Sequence, residues 1–338
     1  MTQPPRKLHQ PHQPCHPNRR QCLAGLSALG LASLVGAPAQ AAERFPVKPI
    51  QLVLPFPPGG SFDPVFRSLA EAASRDLGQP VVLMHQPGAG GVAGTANLAR
   101  LSEGDGYTLA VMHNSVIRAP LVQRVSWDPL KDFTYLGSLF GLVTGVSVAR
   151  DAPWKTFAEL MADAKARPGA ISWGNVGAIS INRISAERVA RGAGTSFNMV
   201  SFKGGAEAFQ ALIGRHLDVY GDPGFGPQVQ GGRARLLAVF SDQRLKSYPE
   251  VPTTKELGYA VSIDSPVGLV APKRLPPEVQ QRLHEAFRKA ASDPAYLKQL
   301  EAFDMLPQLS SPQEYADYAR AQYERDQKML AEIGFKLD

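Results

Sequence analysis

The chain has 338 residues and a formal net charge of +6, from 36 lysines and arginines against 30 aspartates and glutamates. Four of those bases and both cysteines fall in the first 41 residues; without them 32 bases face 30 acids, and the remainder, near neutral at +2, has no basic footprint for nucleic acid, no disulfide, no thiol nucleophile and no thiolate metal site. The 297 residues left are enough for two lobes stabilised by core packing alone.

The first predicted segment is not part of the fold. Residues 1–20 carry Arg6, Lys7, Arg19 and Arg20 and no acid, Leu23 to Val35 is apolar, and 37-APAQA-41 supplies small residues. A basic flank, a short apolar run and an A-x-A site predict a secretory signal cleaved near Ala41 and a mature protein outside the cytoplasm. Arg19-Arg20 is similar to a twin-arginine signal, but Cys22 stands where a larger apolar residue is usual, so the export route stays open.

After the signal, apolar runs alternate with segments of helical period. The runs 50-IQLVLP-55, 81-VVLMH-85 and 107-YTLAVM-112 read as buried strands, and Phe66, Leu69, Ala70, Ala73 and Leu77 form one helical face between the first two. The uncharged stretch Phe133–Ala149 is short for a membrane span and interrupted by Gly, Ser and Thr, so it reads as buried strands with turns. A capping box at Thr156-Phe157-Ala158-Glu159 opens a helix, followed by 170-AISWGN-175, a helix from about Ser180, 197-FNMVSF-202, a helix after Gly205, 217-LDVYG-221 and 235-RLLAVF-240. The last seventy residues turn helical, with a second capping box at Ser311-Pro312-Gln313-Glu314. The pattern predicts an α/β protein of two lobes, each an open, mainly parallel sheet flanked by helices, with a cleft between them.

Ligands of such sheets bind beyond the carboxyl ends of the strands, and three loops lie there. In 55-PFPPGGSFDP-64, prolines stiffen the approach, Gly59 and Gly60 free the backbone, and Asp63-Pro64 reads as N-cap and first helical residue. Such a loop offers backbone N–H groups to an anion, although a tight strand-to-helix turn accounts for it equally. The second loop, 87-PGAGGVAG-94, fits G-x-G-x-x-A, but it follows the second strand and lacks a ribose acid, so a further backbone donor loop is the better reading. The third, 113-HNSV-116, offers Asn114 and Ser115.

In order along the chain, 55-PFPPGGSFD-63, 78-GQPVVLMHQPGAGGVAG-94, 104-GDGYTL-109, 128-DPLKDF-133, 202-FKGGAEA-208 and 251-VPTTKELG-258 resemble the Bug, or TctC-like, family, the extracytoplasmic solute receptors of tripartite tricarboxylate transport systems. The resemblance implies a two-lobed periplasmic binding protein that closes around a small carboxylate, with hinge strands near 143–148 and 264–270. One lobe would be 44–142 plus 267–338 and the other 143–266. It places Gly59, Gly60, Ser61 and Asp63 on the first ligand loop, Ala89, Gly90 and Gly91 on the second, and Asn114 and Ser115 on the third. In the second lobe 174-GNVGAISINR-183 matches a glycine- and serine-rich helix start, bringing in Asn175, Ser180 and Arg183; Lys203 and Asp222 stand at further family positions. Arg183 can meet a second carboxylate or lie solvated on its helix, Lys203 can hold an anion or a surface salt bridge, and Asp222 can bind an ammonium or water or cap the next helix.

The resulting expectation is a monomeric receptor without catalytic residue, metal or cofactor that captures a small organic carboxylate and delivers it to membrane permease subunits. A sensory binding protein serving a signalling partner shares this sequence logic. A secreted α/β enzyme acting on a small acid is the more distant alternative: there is no G-x-S-x-G and no H-E-x-x-H, and His85, His113, His216 and His284 have no paired nucleophile.

Overall fold

A computed structural model describes residues 45–101 and 104–335; the signal expected at 1–41 lies outside them. The chain begins with β1 (Ile50–Leu54), α1 (Phe62–Leu77), β2 (Val81–His85), α2 (Ala93–Leu98), β3 (Thr108–Met112), α3 (Asn114–Val122) and β4 (Phe133–Gly141). It then crosses to a second sheet with β5 (Gly145–Ala149), α4 (Phe157–Ala166), β6 (Ser172–Val176), α5 (Ile181–Gly192), β7 (Asn198–Phe202), α6 (Gly205–Ile213), β8 (Val219–Asp222), α7 (Gly226–Gln230) and β9 (Ala234–Val239). It returns with β10 (Pro266–Pro272), α8 (Pro277–Ala290), α9 (Pro294–Ala302), β11 (Leu306–Pro307) and α10 (Pro312–Ile333).

Strand order is β11-β4-β10-β3-β1-β2 in the first sheet and β7-β6-β8-β5-β9 in the second. Between the strands, parallel pairing joins β1 with β2 and β3, and β6 with β7 and β8. The sheets are therefore mixed where mainly parallel ones were expected. Strands at the crossovers enter without a crossover helix of their own sheet, so β10 pairs antiparallel with β3 and β4, and β5 with β8 and β9. The uncharged stretch at 133–149 is β4 and β5, buried along nearly its whole length, and no helix among the described residues is long and apolar enough to cross a membrane.

Burial on both faces of a strand explains the continuous apolar runs. Ile50, Leu52 and Leu54 pack with α1, α8 and α9, while Val53 points to the opposite core with Met112, Val270 and Tyr315. Helix α1 buries the predicted stripe of Phe66, Leu69, Ala70, Ala73 and Leu77, with Val65 and Ala72 beside it, and stops at Gly78, whose left-handed φ is 71° and whose N–H donates to the Ser74 carbonyl at 3.0 Å. Helix α10 starts with the complete capping box of Ser311 and Glu314. At α4 only half the predicted box forms: Thr156 caps Glu159 N–H, but the Glu159 carboxylate accepts from Lys155 N–H at 2.6 Å.

The two crossovers run side by side. Leu142 N–H donates to the Ser265 carbonyl at 3.0 Å, and Phe240 N–H to the Thr144 carbonyl at 2.9 Å. These few backbone bonds at 142–144 and 240–265 are where the sheets connect.

Candidate functional site

A cavity of about 370 Å³ opens between the strand ends of the two sheets. Four helices begin at its wall: α1 after β1, α3 after β3, α5 after β6 and α6 after β7. First-turn N–H groups of a helix have no intrahelical acceptor, and the aligned peptide dipoles make that end positive. Two such ends come from each sheet. The cavity therefore attracts negative charge from both sides without an arginine on its wall.

The first loop differs in detail from its predicted form. Helix α1 starts two residues early, so Ser61 is the N-cap and Asp63 sits in the first turn. The Asp63 carboxylate is held by Arg67 at 3.1 Å and by His85 Nε2 at 3.2 Å, which offsets the charge it brings to the helix end. Gly59 has a φ of 85° and makes the turn, while Gly60 is in ordinary backbone space with nothing near where a Cβ would stand. The second loop runs through Gly88, Ala89, Gly90 and Gly91 with φ values of 154°, 47°, 63° and 91°. Such a run is costly for side-chain-bearing residues, and only Ala89 bears one.

Of the residues expected at the site, Gly60, Ser61, Gly90, Asn114, Ser115, Ser180, Lys203 and Asp222 line the cavity. Six do not. Gly59 shapes the turn behind the wall, and Ala89 precedes the lining Gly90. Gly91 is packed so tightly that a Cβ would stand 2.5 Å from the Phe56 ring. Asp63 is spent on Arg67 and His85. Asn175 is fully buried and donates to the Gly177 carbonyl at 2.7 Å, fixing the turn before α5. Arg183 is turned to Glu187 at 2.8 Å and to the Ala178 carbonyl at 3.3 Å, with its guanidinium over the Phe335 ring.

The wall contains side chains that sequence patterns did not single out: Phe56, Phe62, Leu142, Val176, Ile181, Asn182, Tyr220 and Ser265. Tyr220 had a legible signal, since it lies two residues before Asp222 on β8 and so shares its face. Leu142 and Ser265 sit on the two crossovers, which only the topology brings together.

Two ionisable groups on the wall are strongly perturbed. Asp222 is 3% exposed and accepts from Val176 N–H and Asn182 Nδ2, and burial pushes its carboxyl up to about 8 against the pull of those two donors. No lysine or arginine among the described residues pairs with it. His113 is buried, and its Nε2 lies 2.9 Å from the Gly91 carbonyl; desolvation pushes the imidazole down to about 4, so it is neutral and Nε2 carries the donated proton. Lys203, at the mouth, is exposed.

The rims of the two sheets meet through glycine. A Cβ on Gly90 would stand 2.5 Å from Gly177 Cα, one on Gly204 2.8 Å from Pro57 Cγ, and one on Gly224 2.8 Å from Ser61 Oγ. Real Cβ atoms do not come that close, so these glycines let the facing segments approach over the cavity, Gly90 against the Gly177 backbone and the other two against the Pro57 and Ser61 side chains.

The sequence profile described as the tripartite tricarboxylate transporter family receptor matches residues 65–335. The "UPF0065 protein in gbd 5'region" of Cupriavidus necator is 41% identical over 92% of this chain and 94% of its own length. Among solved structures, the periplasmic binding protein BugD superposes with a TM-score of 0.82 at 26% identity, covering 86% of this chain and 99% of BugD. R. palustris Rpa4515, solved with adipate, superposes with a TM-score of 0.80 at 26% identity over 86% of this chain and 98% of its own. With two mixed sheets, a cavity ringed by helix N-termini and a profile match across most of its length, this chain belongs to the Bug/TctC-like receptor family of tripartite tricarboxylate transport systems.

Proposed function

We propose that the protein is a periplasmic receptor that captures a small organic carboxylate between its two lobes and hands it, in the closed form, to membrane permease subunits. The observation that carries this reading is the convergence of four helix N-termini, two from each sheet, on one cavity. The adipate held by the similar R. palustris protein points to the same ligand chemistry. In this reading Gly60, Ser61, Gly90, Asn114 and Ser115 present backbone and hydroxyl donors from the lobe formed by 45–142 and 267–335. Ser180, Lys203 and Asp222 approach from the lobe formed by 143–266. The crossovers at 142–144 and 240–265 act as the hinge, and the receptor works as a monomer exported by the segment before Ala41.

Thermal melting of the purified protein against a panel of organic acids, each paired with its uncharged amide, tests the assignment. A ligand that binds only the folded protein raises the melting temperature once its concentration exceeds Kd. Acids are expected to shift it and their amides not to. Equal shifts with acid and amide, or none with any acid, refute the carboxylate reading.

A further inference from the structure

The character of the cavity wall narrows the ligand class. Most of the surface it presents is carbon. Its polar side chains are largely committed to the protein itself. Asn114 donates to the Asp264 carbonyl at 3.0 Å and accepts from Tyr318 Oη at 3.1 Å. Asn182 accepts from Thr144 Oγ1 at 2.7 Å and donates to Asp222, and Ser180 Oγ accepts from Arg183 N–H at 3.2 Å. His113 donates to the Gly91 carbonyl as a neutral ring.

Positive side chains are correspondingly scarce. Arg183, at the position where a second carboxylate could have been clamped, faces Glu187 and Phe335 and does not line the cavity. Arg118 is fully buried behind the wall, 3.0 Å from Asp326 and donating to the Ile179 carbonyl at 2.9 Å. Among the described residues the one lining cation is Lys203 at the mouth, with Glu207 also on the wall and its carboxylate 3.3 Å from Lys203 N–H. The buried Asp222 carboxyl occupies the inner wall. A second carboxylate would find no further cation on this wall, only the starts of α5 and α6 beside the acids Glu207 and Asp222, whereas an apolar body meets carbon over most of it.

An aromatic corner takes the place of a second anion site. The Phe56 ring lies 4.8 Å from Phe62, edge to face, and 5.4 Å from the His113 imidazole. Leu142, Val176, Ile181 and Tyr220 supply apolar side chains elsewhere on the wall. The volume of about 370 Å³ lies within the ~300–1,000 Å³ typical of ligand pockets.

We propose that the ligand is a monocarboxylic acid with an apolar, ring-sized body: its single carboxylate meets the helix N-termini, and its ring packs between the Phe56–Phe62 corner and the Val176, Ile181 and Tyr220 side chains. This rests on the carboxylate-receptor reading above and adds the class of acid. Contacts of this kind discriminate through buried carbon, and each matched methylene-sized group is worth roughly 10–200-fold.

Calorimetric titration of the purified protein with benzoate, phenylacetate and cyclohexanecarboxylate, beside acetate, succinate and malate, decides the matter. The ring acids are expected to bind at least tenfold more tightly than acetate and than either diacid. Val176→Lys, which adds a cation to the wall, should weaken the ring acids at least tenfold and narrow the gap to succinate. Ile181→Ser, a milder change, should weaken the ring acids several-fold, and a melting curve of each ligand-free variant shows that it folds. Succinate or malate binding more tightly than every ring acid overturns the inference while leaving a carboxylate receptor. Binding of no acid at all overturns that reading and this one together.

Discussion

Asp222 is a carboxyl with both oxygens engaged by donors, yet buried where no cation balances it. Burial moves it from an ordinary 3.8 to about 8 in the folded protein, so folding takes up a proton across that interval. Its contribution to stability is fully present below pH 4 and is lost as pH rises towards 8, at no more than about 1.4 kcal/mol per pH unit. Asp222→Asn is neutral at every pH and loses one acceptor. In urea unfolding the variant is therefore expected to be less stable than the parent at pH 5, with the gap shrinking steadily or reversing by pH 8. A gap that does not change with pH means that Asp222 titrates as an ordinary carboxylate. Gly60 supplies a second test at this scale. Its φ is unexceptional and a Cβ there touches nothing, so Gly60→Val should fold with an unchanged urea midpoint but bind acids at least tenfold more weakly. Gly90 is the contrast: its left-handed φ and its contact with Gly177 make any side chain costly to the backbone as well as to the site.

Helix α3 joins three parts of the molecule through Arg118. The side chain is fully buried, sits 3.0 Å from Asp326 on α10, and donates to the Ile179 carbonyl next to the cavity-lining Ser180. Taking away one member of such a pair leaves a charge stranded in the core, at a cost of ~3–5 kcal/mol, whereas replacing both with apolar groups recovers much of it. Arg118→Met should accordingly lower the urea midpoint far more than the Arg118→Met, Asp326→Leu double variant; equal losses would mean that Asp326 is not stranded. Nothing in the local sequence announces this pair, because its partners lie 61 and 208 positions away along the chain. What was legible follows from local physics: the strands at 50–54, 81–85 and 108–112, the stripe of α1 and the Ser311 capping box all rest on period, burial and capping within a few residues. The glycine loops at the strand ends were legible for the same reason, since glycine and proline mark backbone directly. The fate of Arg183 was not, because its choice between ligand and Glu187 depends on where α10 ends, near Phe335. The apolar wall was hidden too, since Phe62, Leu142 and Val176 come together only when two sheets face each other.

At the scale of the whole molecule, the proposed closure of the two lobes would rely on three close approaches, Gly90 to the Gly177 backbone, Gly204 to the Pro57 ring and Gly224 to the Ser61 side chain. A ligand shifts a hinge equilibrium only as far as it prefers one state, so any group that obstructs the closed state lowers affinity even if it never touches the ligand. Gly204 isolates this effect. Its φ of −165° is extended backbone open to any residue, while an added Cβ would stand 2.8 Å from Pro57 Cγ across the cleft. Gly204→Ala should therefore leave the melting temperature of the ligand-free protein nearly unchanged, since in the proposed open form Pro57 would lie away from that point. Overpacking of one methyl costs ~1–3 kcal/mol, and when it falls on the closed state alone it appears as a five- to hundredfold loss of affinity. Small-angle scattering supplies the second readout: at saturating acid the parent should contract to the closed form, and the variant should remain wider at the same occupancy. Unchanged affinity together with full contraction would show that the lobes close without this glycine contact, and that the seam is packing and not part of the capture.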